Sequence, residues 1–548
     1  MATVRIFDGR ALSVASSVVA LCLQSGCGSG GGGSAPPPPS PPPPAPPIFV
    51  SPDANTRVSG PTPFVADCAP GQAGTNYVNA EVEPSLAVNP VNPDNMIATY
   101  QQDRWSDGSA RGLGTAVTFD RGASWTRLAP PQLPPFSICA GGTMANLGNY
   151  LRATDPWVTF GPTGIAWQMS LSTAGATNAM LVSRSVDGGR NWGAITPLIV
   201  DGATAFNDKN MIAADPNDAN FAYAVWDRLS SNRGPALLVR TANGGGSWEP
   251  PRIIADPGAG AQTIGNVVVV LPQSVGGAVL NVHLELAGIA GTLKVVRSTD
   301  RFVSWSAPIS IRVISPRGAA DPVTNLAIRD GAGLPSVAVA PGTGHVYVAW
   351  QDSVFSGGQL DAIALTKSTD GGLTWSTPVR VNNNSGTAQA FTPTVSVNAN
   401  GVVAVTYFDL RSDNLNVETL GADYWIARSA DGGATWTEAR VTGPFDLAQA
   451  PVARGYFLGD YMALAPVGNE FAALYVQATG EGAGNRNDVF MKRFAASAAS
   501  AARPQRAMIA PGEPDAALAR AGRDAIERAL DMRVPEWARM RKAAQPPQ

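Results

Sequence analysis

Histidine is almost missing from this chain of 548 residues: only His283 and His345 occur, both inside strand-like patterns. A zinc centre built on several imidazoles and a hydrolase that needs a His base are therefore not expected. Charge is scarce as well. Lys, Arg, Asp and Glu make up 15% of the residues, the formal net charge is −3, and neither sign forms a long run. That leaves no electrostatic footprint for nucleic acid. No G-x-S-x-G elbow and no phosphate-cradling loop stands at a strand-to-helix junction. Acidic DPNDAN (215–220) occupies a hairpin turn, as NPVNPDN does, so turn chemistry accounts for it without calcium. Neither a metal nor a cofactor is expected. Long apolar runs are missing too, apart from ALSVASSVVALCLQ at 11–24, which is short for a bilayer span.

That run follows Arg5 and Arg10 and has the form of an export signal. It ends in LQSGC, which resembles the lipobox of bacterial lipoproteins. The resemblance implies a signal over 1–27, with Cys27 lipidated and becoming the new N-terminus; Gln24 departs from the motif, and plain cleavage with release is the alternative. Residues 28–60, with GSGGGGS and APPPPSPPPPAPP, read as a disordered tether. Its polyproline part would reach about 40 Å at roughly 3.1 Å per residue. The expected location is the outer or cell-surface membrane, held by the lipid anchor alone, or the periplasm or medium if Cys27 is not lipidated. Two cysteines remain, Cys68 and Cys139, either as a disulfide stapling the N-terminal segment to the first repeat or as two buried thiols.

What is abundant is repetition. TFDRGASW (118–125), SVDGGRNW (185–192), TANGGGSW (241–248), STDRFVSW (298–305), STDGGLTW (368–375) and SADGGATW (429–436) write one phrase six times. Its acidic position falls at Asp120, Asp187, Asn243, Asp300, Asp370 and Asp431, at intervals of 67, 56, 57, 70 and 61 residues. Alternating strands flank each copy, so the phrase turns a hairpin. Gly supplies positive φ, the Asp carboxylate accepts backbone N–H groups, and the closing Trp is expected to bury against its own sheet. A period near sixty suits one four-stranded sheet per repeat.

The pattern S/T-x-D-x-G-x-S/T-W resembles the Asp-box, or BNR repeat, of the sialidase superfamily of β-propellers. The resemblance covers about residues 75–495 and implies a structural turn, away from the substrate face, for these six residues. A second signal, strand–turn–strand, opens at EPSLAV, DPWVTF, DKNMIAA, IGNVVVV, LPSVAVA, TPTVSV and GDYMALA. Seven openings against six boxes leave the last unit short of an outer strand, with the stretch near 62–80 as its donor. The expected fold is all-β: a propeller over 61–495 of four-stranded antiparallel blades, seven with six as the alternative, closed by pairing the N- and C-terminal strands. Residues 496–548 form an Ala-rich tail with one amphipathic helix at 513–533.

Charge gathers after second strands and in entry loops, which share one face in a propeller: QQDRW, WDRLSSNRG, FDLRSDN, LRATDPW, NDKN and LGDY. Sialidases grip a sugar carboxylate with three arginines and use a Tyr paired with Glu as nucleophile and an Asp as acid/base. The resemblance places Arg104, Arg228 and Arg411 as carboxylate ligands, with Asp208, Lys209 and Asp409 beside them. It places Tyr461, or Tyr150, as nucleophile and Asp103, Asp155 and Asp227 as candidate acids. The family's Arg-Ile-Pro motif is absent and each Asp stands close enough to its Arg to pair with it. Two functions follow: exo-sialidase-type glycoside hydrolysis, or a non-catalytic glycan- or protein-binding propeller or surface scaffold. The expected partner is a glycan or glycoconjugate, with no nucleic acid, bound by a monomer.

Overall fold

The computed structural model describes residues 55–384, 388–494 and 504–531. The signal, Cys27 and nearly all of the tether lie outside the described residues. The chain is all-β. It runs as successive antiparallel meanders of four strands, beginning with Val82–Val88, Met96–Trp105, Ala110–Thr118 and Thr126–Arg127. The next is Arg152–Phe160, Ala166–Ala174, Thr177–Ser185 and Thr196–Asp201. Later meanders open at Ala205–Ala214, Ala261–Val270, Ser336–Val339, Ala390–Val397 and Ala463–Val467. These opening strands lie side by side in chain order, and Ala463–Val467 lies beside Val82–Val88. Among the described residues no helix is long and apolar enough to cross a membrane.

The last meander has three strands of its own, Ala463–Val467, Glu470–Ala478 and Asn487–Phe494. Its fourth partner is Thr56–Arg57, paired with Met491 and Phe490 and continued by the Val58 N–H on the Val489 carbonyl at 2.8 Å. The donor is thus a few residues upstream of 62–80, in a stretch assigned from sequence to the tether. Asn76–Tyr77 pairs instead with the end of the second strand, at Trp105 and Arg104. A two-residue strand beside a proline run carries too little alternation to be read. The Cys68–Cys139 pair is a disulfide, which ties the segment between these two pairings to the turn before Arg152–Phe160.

Each Asp-box is a self-contained turn. Asp370 Oδ1 accepts from Ser368 Oγ at 2.8 Å and from the Thr374 N–H at 2.9 Å, while Oδ2 accepts from Thr374 Oγ1 at 2.5 Å. Asn243 keeps the same role with its amide oxygen, which accepts from the Ser247 N–H at 2.9 Å. The paired glycines turn left-handed, and a Cβ on Gly189 would stand 2.6 Å from Ile97 of the preceding meander. The fourth box puts Phe302 at φ 59° where others have Gly; its ring is fully buried against Tyr223 and Trp305, which offsets a cost of about 1–2 kcal/mol for the left-handed conformation. The closing tryptophans pack between sheets: Trp375 joins a cluster that holds Val348 and Trp350 of its own sheet with Leu280 and Val295 of the preceding one, and Trp125 a cluster that holds Ala98 and Ala116 of its own with Met491.

The C-terminal segment returns along the outside. Gln505–Arg506 adds to Thr435–Asp446, and Met508–Ile509 adds to Val379–Arg380. The helix Ala516–Asp531 follows, close to the expected 513–533, of which 532 and 533 are not described.

Candidate functional site

In five opening strands the register against the second strand slips at one place, and the residue in the slip has positive φ. These are Glu83 (54°), Asp155 (51°), Lys209 (49°), Gly265 (64°) and Thr392 (52°). A bulge re-aims a side chain, and left-handed conformation in a non-glycine residue costs about 1–3 kcal/mol unless its surroundings hold it. Three consecutive bulges therefore present charged residues where others present Gly or Thr.

Those three meet. Lys209 Nζ donates to Asp460 Oδ2 at 2.8 Å and to Glu83 Oε1 at 3.4 Å, and its N–H reaches Asp155 Oδ2 at 3.2 Å. Arg329 donates to both oxygens of Asp460, at 3.3 and 3.1 Å. Gln101 connects the group: its amide nitrogen donates to Glu83 Oε2 and, at 2.8 Å, to Thr154 Oγ1, while its oxygen accepts from Arg104 Nη1 at 2.6 Å. Arg104 is 2% exposed, and its Nε has no hydrogen-bond partner among the described residues. Arg104 and Arg329 both lie over the ring of Phe457, at 4.7 and 4.2 Å from its centroid. A cavity of about 480 Å³ opens here, walled by Arg104, Arg152, Asp155, Asp208, Lys209 and Arg329.

Burial dominates the electrostatics. It pushes Glu83 up to about 7 against the pull of Lys209, and it raises Asp155. Burial, then the neighbouring Asp208, holds Asp227 well above the usual carboxylate range. Neither Asp227 oxygen has a hydrogen-bond partner among the described residues. Burial, then Arg329, lowers Arg104 to about 10. For Arg329 burial disfavours the charge, but Asp460 outweighs it and holds the pKa above its ordinary value. Burial thus works against the ionisation of these carboxyls in a network that also holds the ion-paired Lys209 and Arg329. Among the described residues no group of three or more His, Cys, Asp or Glu side chains could hold a metal ion.

The candidates named from sequence divide. Arg104, Asp155, Asp208, Lys209, Asp227 and Tyr461 come together. Tyr461 points its hydroxyl at the Pro156 carbonyl, at 3.4 Å, and burial, then Glu83 and Asp155, holds it well above the usual phenol range. Arg228 lies apart, gripping Asp201 through two bonds of 2.7 and 2.8 Å. Arg411 pairs with Asp409 at 2.5 Å and Glu438 at 2.9 Å, stacked 3.9 Å over Trp425. Asp103 accepts from Thr62 Oγ1 at 2.7 Å and the Asn79 N–H at 2.9 Å, and so fastens the N-terminal segment. Tyr150 is buried in the apolar cluster of Leu113 and Phe136.

Sequence reading passed over Glu83, Arg329 and Asp460. Glu83 opens EPSLAV and Asp460 stands in LGDY, so the available signal was a charged residue just ahead of a first strand. Arg329, in AIRD, lies in an irregular connection with no pattern to mark it.

Residues 220–453 match the BNR repeat-like domain family. No curated protein sequence matches the chain. Among solved structures, a protein of unknown function from Dyadobacter fermentans is 14% identical over 77% of this chain and 96% of that one, with a TM-score of 0.41. An α-L-arabinanase from Penicillium chrysogenum, complexed with arabinobiose, is 12% identical over 81% and 98%, with a TM-score of 0.41. A Hadza microbial sialidase is 12% identical over 64% and 66%, with a TM-score of 0.40. No chemistry follows from likenesses this distant.

Proposed function

We propose that this chain is a BNR-repeat protein of the sialidase-like superfamily, a seven-bladed propeller closed by Thr56–Arg57 on Asn487–Phe494, that binds an acidic glycan in its axial cavity. One observation carries the reading: Arg104, Lys209 and Arg329 wall a single cavity, and among the described residues the Arg104 guanidinium donates only to the neutral Gln101 amide, with no carboxylate in direct contact. A buried guanidinium facing a cavity is stabilised by a ligand carboxylate through two parallel hydrogen bonds. Asp155 and Asp208 on the same wall accept sugar hydroxyls. Calorimetric titration with acidic and neutral oligosaccharides tests this. The acidic set binds, and Arg104→Ala weakens it at least tenfold; equal binding of neutral sugars overturns the reading.

Hydrolysis is the second reading, favoured by the raised carboxyl of Asp155 at the cavity wall. Asp155 would protonate the glycosidic oxygen while water adds to the anomeric carbon. Release of sugar from an acidic-glycan panel, lost in Asp155→Asn with binding kept, supports it; saturable binding without turnover sinks it.

The protein is further read as exported and monomeric, with no nucleic-acid partner, and tethered through lipidated Cys27 or released. The Cys68–Cys139 disulfide is consistent with an oxidising compartment. Membrane fractionation of wild type against Cys27→Ser distinguishes the two states: a wild-type protein found only in the soluble fraction rejects the anchor.

A further inference from the structure

The C-terminal helix Ala516–Asp531 is fastened to the propeller at several points. Asp515 caps it, accepting the Leu518 N–H on Oδ1 at 2.8 Å. Ile526 is buried among Leu284, Leu293 and Ile314. Gly522 lies so close to the backbone of Ser315 that a Cβ there would approach it to 2.4 Å. Arg523 reaches the Gly288 carbonyl, and Arg312 pairs with Glu513 at 3.2 Å. The facing segment, 315–330, is equally fixed. Asp361 accepts the Arg317 N–H at 2.8 and 3.0 Å and the Gly318 N–H at 2.8 Å, and Asp330 accepts the Ala319 N–H at 2.6 Å. Gln351 donates to both carboxylates at 2.7 Å.

Between these two rigid walls lies a second cavity, of about 370 Å³, within the size range of ligand sites. Its charged lining is Arg317, Arg329, Arg528 and Asp330, and Asp330 is already committed to backbone N–H groups and Gln351. Arg317 and Arg528 are exposed and have no carboxylate partner among the described residues; Arg317 makes one long contact, to the Gly358 carbonyl at 3.4 Å. The remaining wall is small and apolar, with Ala319, Ile328, Ala521 and Ala525. Arg329 borders this cavity and the axial one alike. The Arg317 and Arg528 guanidiniums make an oxyanion site on a rigid, partly apolar scaffold, bordered by Arg329, whose own guanidinium is held by Asp460.

We propose that this cavity holds the carboxylate or sulfate of a second sugar residue in an acidic oligosaccharide whose end occupies the axial cavity. The ligand is then a polyanionic chain, gripped at two places on either side of Arg329. The inference rests on the glycan-binding reading and adds to it a requirement for length and for a second charge.

The test uses the full chain and oligomers of one to four uronic acid residues, with sulfated oligosaccharides of the same lengths as a second arm, measured by calorimetry. Wild type is expected to bind the trisaccharide at least tenfold more tightly than the monosaccharide. Arg317→Ala and Arg528→Ala, each checked for an unchanged unfolding temperature, are expected to reduce that gain below threefold while monosaccharide binding holds. Arg104→Ala is expected to weaken every length. A length gain that survives in both cavity variants overturns the second site and leaves the axial one standing. Conversely, wild-type monosaccharide binding in Arg104→Ala overturns the axial reading; inorganic sulfate, bound by wild type and lost in Arg317→Ala and Arg528→Ala, then judges the second cavity alone. Failure of wild type to bind any acidic oligomer overturns both. The arm with the larger gain identifies carboxylate or sulfate as the second anion.

Discussion

Two sets of carboxylates in this chain have opposite fates. Those of the boxes sit in exposed turns: for Asp120 and Asp370 slight burial works against ionisation, but hydrogen bonds from Ser124 and Thr118, or from Thr374 and Ser368, hold the acids down at about 2. Glu83, Asp155 and Asp227 in the central network are buried and raised, Glu83 to about 7. The same chemical group is a cheap turn fastener where water and backbone N–H groups serve it, and a costly interior charge where they do not. Interior charges that persist against such a cost are why the proposed site lies in the buried network and not in the repeated phrase.

The largest break in this comparison is expected from Asp460→Ala, which leaves Lys209 and Arg329 as buried cations without their shared carboxylate. A loss of about 3–5 kcal/mol in denaturant unfolding is expected. A loss no greater than that of a box variant would erase the distinction.

Next comes the disulfide. Arg152 donates to Gln72 Oε1 at 3.1 Å and to the Ala73 carbonyl at 2.8 Å, so the Cys68 segment forms part of the axial rim. Replacing both Cys68 and Cys139 by Ala should cost about 2–4 kcal/mol and lower the unfolding temperature. It should also weaken ligand binding at the axis, which no box variant does.

The pH dependence has opposite signs in the two regions. Glu83 ionises near 4.5 when unfolded and near 7 when folded, so its contribution is complete below about 4.5 and is lost as pH rises to 7. On the order of 3 kcal/mol is at stake, and Glu83→Gln should flatten stability across that window. Asp120, ordinarily near 3.8 and here about 2, contributes above 3.8 and loses its contribution as pH falls toward 2. Thermal unfolding followed from pH 2 to 8 in wild type, Glu83→Gln and Asp120→Asn separates the two.

The smallest effect belongs to a single box. Asp431→Ala removes bonds from Ser429 Oγ at 2.7 Å and Thr435 Oγ1 at 2.6 Å, but in solvent, so a loss of about 1 kcal/mol is expected in denaturant unfolding, with ligand binding untouched. A change in ligand affinity in this variant would assign the box face a role in binding.

Legibility followed the range of the interactions. The box turns close bonds between residues two to four positions apart, so the phrase alone specified them, including the Asn243 variant. Strand alternation likewise exposed the meanders. Two-residue strands such as Thr56–Arg57 left no pattern, and the preceding sheet's share in packing each tryptophan was hidden because those partners lie a full repeat away. Among the arginines, adjacency misled: Arg228 and Arg411 lie at strand ends like Arg104, yet Asp201, Asp409 and Glu438 hold them elsewhere.

By itself the sequence determined the repeating unit, its turns and the all-β character, because each depends on φ preferences, periodicity and hydrogen bonds within a few residues. Only the tertiary structure decided which charges meet. Glu83, Lys209, Arg329 and Asp460 are separated by more than a hundred residues along the chain, and burial, which sets their protonation, exists only once the strands have come together.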